Sequence, residues 1–157
     1  MSFDSIYKAY WPKIFRLCMG YVNDHAIAQD MAQETFVIVW QKLHTFRDEA
    51  NIGTWIYRIA TNYCLRQIEK EKRFPKGNMP LQIQEEHHEN TEPQVRFLYQ
   101  CIAELPETDR IIMSLELENV KQAEIAKIVG ISESNVRVKI HRIKEKLTLK
   151  FKFHEQR

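Results

Sequence analysis

Residues 122–147 read QAEIAKIVGISESNVRVKIHRIKEKL, and the fold turns on how they are read. Ile125, Ala126 and Val129 recur at helical spacing before Gly130, and Val136, Ile140, Ile143 and Leu147 do so after it. Glycine ends the first run because it takes a left-handed backbone without steric penalty. Ser132 stands where its hydroxyl can accept from the amides that open the second run. Two amphipathic helices with so few residues between them pack their stripes together, which makes a helix-turn-helix. That packing turns Ser134, Asn135, Arg137, Val138, His141 and Arg142 to solvent, and a groove of DNA is the matching counterpart. Arg137, His141 and Arg142 have the length and donors for base edges. Lys139, Lys144 and Lys146 suit phosphates, and Asn135 suits either. A helical hairpin with an ordinary solvated face is the alternative reading of the same pattern.

Working outward, Val95, Leu98, Ile102 and Leu105 mark a helix from about Gln94, and Ile111, Ile112, Leu115 and Leu117 mark another after the break at Pro106. In the N-terminal half Asp4 is the candidate cap of a helix carrying Tyr7, Tyr10, Ile14, Leu17 and Tyr21, with Pro12 expected at a bend or start and the end between Gly20 and Asp24. From about Asp24 to Phe46, Ala28, Ala32, Phe36, Val39, Leu43 and Phe46 make one continuous apolar stripe. Gly53 and Thr54 break and cap the chain, and Trp55, Ile56, Ile59, Ala60, Tyr63 and Ile68 lead to an end near Phe74-Pro75. Then PKGNMPLQIQEEHHENTEP, with three prolines and little periodic apolar content, reads as a linker. No useful strand-like alternation occurs. The expected fold is all-α: two small helical bundles, 1–74 and 94–157, joined by a flexible linker over 75–93, each bundle marginal in stability alone.

Composition narrows the class. The 157 residues carry a net charge of +2 and no apolar run of membrane-spanning length, and MSFDSIYKAYWPKIF lacks the layout of a signal peptide, so a cytosolic protein without membrane insertion is expected. Cys18, Cys64 and Cys101 are few, far apart and set among apolar residues, as packed thiols are. His87-His88 has no partner at ligand spacing, so no metal is assigned, and no cofactor is implied. The linker is acidic, with Glu85, Glu86, Glu89 and Glu92 against Lys76. The C-terminal stretch from Val136 is basic, as in nucleic-acid binders. No paired carboxylates, activated nucleophile or phosphate loop supports an enzyme.

On these residues a resemblance stands. LPETDRIIMSLELENVKQAEIAKIVG with the helix after it resembles the fourth region of bacterial RNA polymerase sigma factors of the extracytoplasmic-function (ECF) type. AIAQDMAQETFVIVWQKLHTFR resembles the second region of that family, and TWIYRIATNYCLRQIEKEKR the segment following it. The resemblance covers nearly the whole chain in the family's order. It implies a non-enzymatic promoter-specificity subunit that binds core RNA polymerase and recognises the minus-ten and minus-thirty-five elements. Asp30, Gln33, Glu34, Val37 and Gln41, on the helix face opposite the buried stripe, would dock on the beta-prime clamp helices; a merely solvated face is the other reading. The implied partners also include the beta flap, promoter DNA and, as in many relatives, an anti-sigma factor.

By the same resemblance, Arg58, Asn62, Arg66, Lys70 and Arg73 would follow the minus-ten element, with Lys72 nearby, and the loop from Phe46 to Gly53 would capture a flipped base. Trp55 and Tyr57 offer rings for stacking, although Trp55 lies on the apolar stripe and is expected in the core. Arg66 departs from the family, which commonly has aspartate there. The linker, reaching ~60–70 Å when extended, either threads the polymerase channel or serves as a soluble tether. The rival function is a free-standing helix-turn-helix regulator, which would ordinarily dimerise on a palindrome, and no dimer seam is evident.

Overall fold

A computed structural model describes residues 2–47, 51–73 and 92–156. Among them the chain forms seven α-helices and no strand. The first, α1 (Phe3–Val22), is capped by Ser2, whose hydroxyl accepts from the Ser5 amide at 3.2 Å. Asp4 lies in the first turn instead, where its charge meets the positive end of the helix. Pro12 sits inside α1 rather than at its start; it is exposed, so the backbone bond it forgoes lies on the wet side. Asn23, left-handed at φ 48°, closes α1 by donating its amide to Met19 O.

Asp24 then caps α2 (His25–Lys42), its carboxylate accepting from the Ile27 amide at 2.9 Å. A single 3-10 turn, Leu43–Thr45, follows. Helix α3 spans Ile52–Arg73. It begins before the expected Gly53-Thr54 break because the Asn51 side chain accepts from the Gly53 amide at 2.8 Å, placing the glycine in the first turn. The second half builds α4 (Pro93–Ala103), α5 (Glu107–Leu117), α6 (Gln122–Val129) and α7 (Glu133–Glu155). Helix α7 runs on past Leu147 to Glu155, where Phe97 of α4 stacks on His154.

The first bundle closes over Ile6, Ile14, Leu17, Ala28, Ala32, Phe36, Val39, Ile56 and Ala60, all buried. Half-buried Trp55, Ile59, Tyr63 and Ile68 pack at its edge. In the second bundle Ile102, Leu105, Met113, Ile143 and Leu147 form a separate cluster. Val95 and Leu117, read as part of the stripes, are exposed at helix ends, and Ile128 is buried where Val129 is only half-buried.

The two bundles also pack on each other. Ile111, Ile112, Leu115, Ile125 and Val136 of the second bundle join the buried cluster of the first. Helix α1 lies against α4 and α5, and α3 against α6. At the seam Gly20 faces Ser114 so closely that a Cβ on residue 20 would collide with the serine hydroxyl. Arg16 forks both oxygens of Glu118, with Nε at 2.9 Å and Nη2 at 2.8 Å. Arg110 donates to Tyr21 O at 3.0 Å and lies over the Tyr21 ring.

Candidate nucleic-acid interface

Gly130 at φ +84° ends α6 by donating its amide to Ala126 O at 2.8 Å, and the Ser132 hydroxyl accepts from the Asn135 amide at 3.1 Å to start α7. Ile125, Ala126 and Ile128 are buried on one side of this turn, and Val136, Ile140 and Ile143 on the other. Ser134, Asn135, Arg137, Val138, His141 and Arg142 are exposed together along α7.

Electrostatics divides this face. Arg137 meets Glu133 only at 3.9 Å, and His141 Nε2 lies 2.7 Å from Glu145; both pairs are exposed, so each side chain is released at small cost. Lys139 is half-buried and held 3.6 Å from Asp109, and Lys144 lies 2.9 Å from Glu116. These two lysines, read as phosphate ligands, are thus tied to carboxylates of α5. Arg142 and Lys146 have no ion-pair partner among the described residues.

On α3, Arg58, Asn62, Arg66 and Lys70 are exposed at four-residue spacing, one above another on a single face. The side chains of Lys72 and Arg73 lie outside the described residues, as do positions 48–50 of the preceding loop. Phe46, at the near end of that loop, packs on Trp55 with ring centroids 5.1 Å apart. Tyr57 is buried, and desolvation, with a smaller contribution from the Glu118 charge, pushes its phenol well above the usual tyrosine range. In this arrangement it has no surface to offer a base, which corrects the stacking expected of it. It lies in the buried cluster that both bundles build, within reach of the Glu118 charge from the second.

Asp30, Gln33, Glu34 and Gln41 are exposed on α2, with Val37 45% exposed among them. Sequence reasoning missed Trp40. It is 64% exposed, one turn beyond Val37, and enlarges that spot into an apolar patch within a polar face. The signal was present: a tryptophan off the Ala28–Val39 stripe has no core to enter.

Comparison with known proteins bears on these faces. The family description Sigma-70 region 2 matches residues 6–74, and Sigma-70, region 4 matches residues 98–147. The chain is 29% identical to the RNA polymerase sigma-H factor of Pseudomonas aeruginosa over 92% of its length and 83% of the relative's. It is 25% identical to the ECF RNA polymerase sigma factor SigM of Bacillus subtilis, over 94% of this chain and 93% of that one. Among solved structures, the sigma factor RpoE of Bartonella quintana, crystallised with the anti-sigma factor NepR, superposes with a TM-score of 0.82 at 18% identity, covering 96% of each chain. Two family regions in their proper order, on a fold shared with such a factor, place this chain in the ECF type of the sigma-70 family, the non-enzymatic subunits that bring core RNA polymerase to promoters.

Proposed function

We propose that three exposed helix faces divide the work of this sigma factor. The α2 face, Asp30, Gln33, Glu34, Val37 and Gln41 with Trp40 added, docks on the beta-prime clamp helices. The carboxylates meet basic partners, and the indole is the kind of aromatic anchor that dominates binding energy. Arg58, Asn62, Arg66, Lys70 and Arg73 of α3 track the minus-ten element. Ser134, Asn135, Arg137, Val138, His141 and Arg142 of α7 read the minus-thirty-five element, with Lys139 and Lys146 on the flanking backbone.

The observation that carries this reading is that all these side chains described by the structure, Lys139 excepted, are exposed on faces the core does not need. Function units of 1–74 and 94–157, joined by 75–93, follow from the same division. The likeness to a sigma factor solved with an anti-sigma protein supports such a protein as a partner here too. Contact with the beta flap and a place of work in the cytoplasm follow from pairing with polymerase on DNA. Among the described residues no helix is long and apolar enough to cross a membrane.

Transcription from a defined promoter by core polymerase, with and without the chain, tests the whole reading. Charge reversal at Asp30 and Glu34 is expected to weaken core binding in a competition assay while helicity stays unchanged. Undiminished core affinity would remove the docking assignment.

A further inference from the structure

The cations of α7 are not equally available to DNA. Arg137 and His141 pair within α7 to Glu133 and Glu145, whose side chains are 53% and 65% exposed, so water readily takes over those carboxylates when the pairs part. Lys139 and Lys144 pair instead across helices, with Asp109 and Glu116 of α5, whose side chains are only 17% and 19% exposed. A lysine that leaves such a carboxylate strands a charge that the fold already covers, and its release is costly.

Both pairs stand at the border of the reading face. Lys139 is three residues before Arg142 and Lys144 three after His141, and residues three apart are neighbours on a helix surface. The distance between α5 and α7 is fixed by apolar packing, since Met113 of α5 is buried with Ile143 and Leu147 of α7. All four charged residues belong to the second bundle, so the pairs do not depend on the first. Helix stability does not account for both carboxylates. Asp109 lies in the first turn of α5, where a negative charge suits the helix dipole, but Glu116 lies in the last turn, where it opposes the dipole.

We propose that Asp109 and Glu116 are specificity determinants of the reading helix: they compete with DNA phosphate for Lys139 and Lys144 and hold down the sequence-independent part of DNA affinity. The inference rests on α7 reading the minus-thirty-five element, as proposed above, and Lys139 then reaches the flanking backbone only by leaving Asp109. Phosphate contacts add affinity to every sequence alike, whereas base contacts add it to one. With these two cations neutralised inside the fold, the hold on DNA depends more on the exposed side chains that face the bases. Discrimination rises at the expense of general affinity.

The test uses holoenzyme assembled from core polymerase and the full chain. Two labelled duplexes are titrated by fluorescence anisotropy over a range of salt: the defined promoter of the transcription experiment, and a copy with its minus-thirty-five element scrambled. Asp109→Asn and Glu116→Gln are each expected to bind the scrambled duplex several-fold more tightly at low salt and to narrow the ratio of promoter to scrambled affinity. Each should also steepen the slope of log affinity against log salt by ~0.9, the value of one added phosphate contact. Asp109→Glu keeps the charge and the wild-type slope. Adding Lys139→Gln to Asp109→Asn, or Lys144→Gln to Glu116→Gln, brings the slope back. Wild-type slopes in both neutral variants overturn the proposal. Weaker binding to both duplexes at an unchanged slope overturns it too, and leaves the carboxylates as seats for α7 alone. Arg142→Ala in the same assay separates the inference from the reading beneath it. A preserved promoter ratio in that variant removes α7 as the reading helix and the inference with it. A narrowed ratio there, beside wild-type slopes in the carboxylate variants, removes the inference alone.

Discussion

Arg142 separates two kinds of contact on the reading face. It is exposed beside His141 and lacks an ion-pair partner among the described residues, whereas Lys139 and Lys144 are already held by Asp109 and Glu116. Arg142→Ala is expected to cost about 1–3 kcal/mol at one base position, seen as relaxed preference across a panel of single-base promoter variants. Lys146→Ala should instead weaken all variants alike and lower the salt slope by about one. A uniform loss for Arg142→Ala would make it a phosphate contact. Tyr21 poses the opposite question, because its ring is buried and its hydroxyl has no partner among the described residues. Tyr21→Phe keeps the contact with Arg110 and removes the orphan oxygen. The expected result is a gain of about 1 kcal/mol in urea unfolding, and a loss of that size would mean the hydroxyl is bonded.

Among the elements, the turn between α6 and α7 sets where the reading face points. A Cβ on residue 130 would have nothing within 4 Å, so a side chain there meets only the penalty of its left-handed backbone. Gly130→Ala should therefore destabilise by about 1–2 kcal/mol without a packing defect, shifting the urea midpoint and leaving the unfolding slope unchanged. Ser132→Ala removes the cap of α7 and should cost about 0.5–2 kcal/mol. Helix α5 is the element that couples the rest. Asp109 and Glu116, two turns apart along its length, hold α7, while Arg110 and Ser114 face α1. A shift of α5 at the seam would be felt at the reading helix.

At the scale of the molecule, tyrosines on both sides of the seam are held neutral by burial. Desolvation raises the phenols of Tyr21, Tyr57, Tyr63 and Tyr99 above their ordinary value of 10.0. The folded chain therefore binds these protons more tightly than the unfolded chain. The resulting stability is complete below about pH 10 and is lost as pH rises through the folded values. A hydrogen bond with Cys18 and burial also raise the thiol of Cys64, and burial that of Cys101, above their ordinary value of 9.0. Unfolding free energy followed by circular dichroism should therefore begin to fall near about pH 9 and fall more steeply above about 10. Tyr57→Phe should flatten that fall, and an unchanged alkaline limb in that variant would place Tyr57 in water rather than in the seam.

Periodicity alone determined the kinds and approximate places of the helices, since apolar residues three and four apart have no other way to share a face. Glycine and serine at 130 and 132 carried the turn for local backbone reasons, and the polar faces of α2, α3 and α7 were legible as residues the stripes did not use. Caps were less so. Ser2 rather than Asp4 starts α1, and Asn51 moves the start of α3, because several neighbouring side chains can reach the same amides. Trp40 was legible only as an apolar residue off the buried stripe, one turn from Val37, because a search for the core passes over apolar side chains on the polar face. Only the tertiary structure decided that the two bundles share a core, that Tyr57 turns inward, and that Arg16 finds Glu118. Those contacts join residues far apart in the chain, and a one-dimensional pattern of hydrophobicity records which face is apolar but not which distant face will cover it.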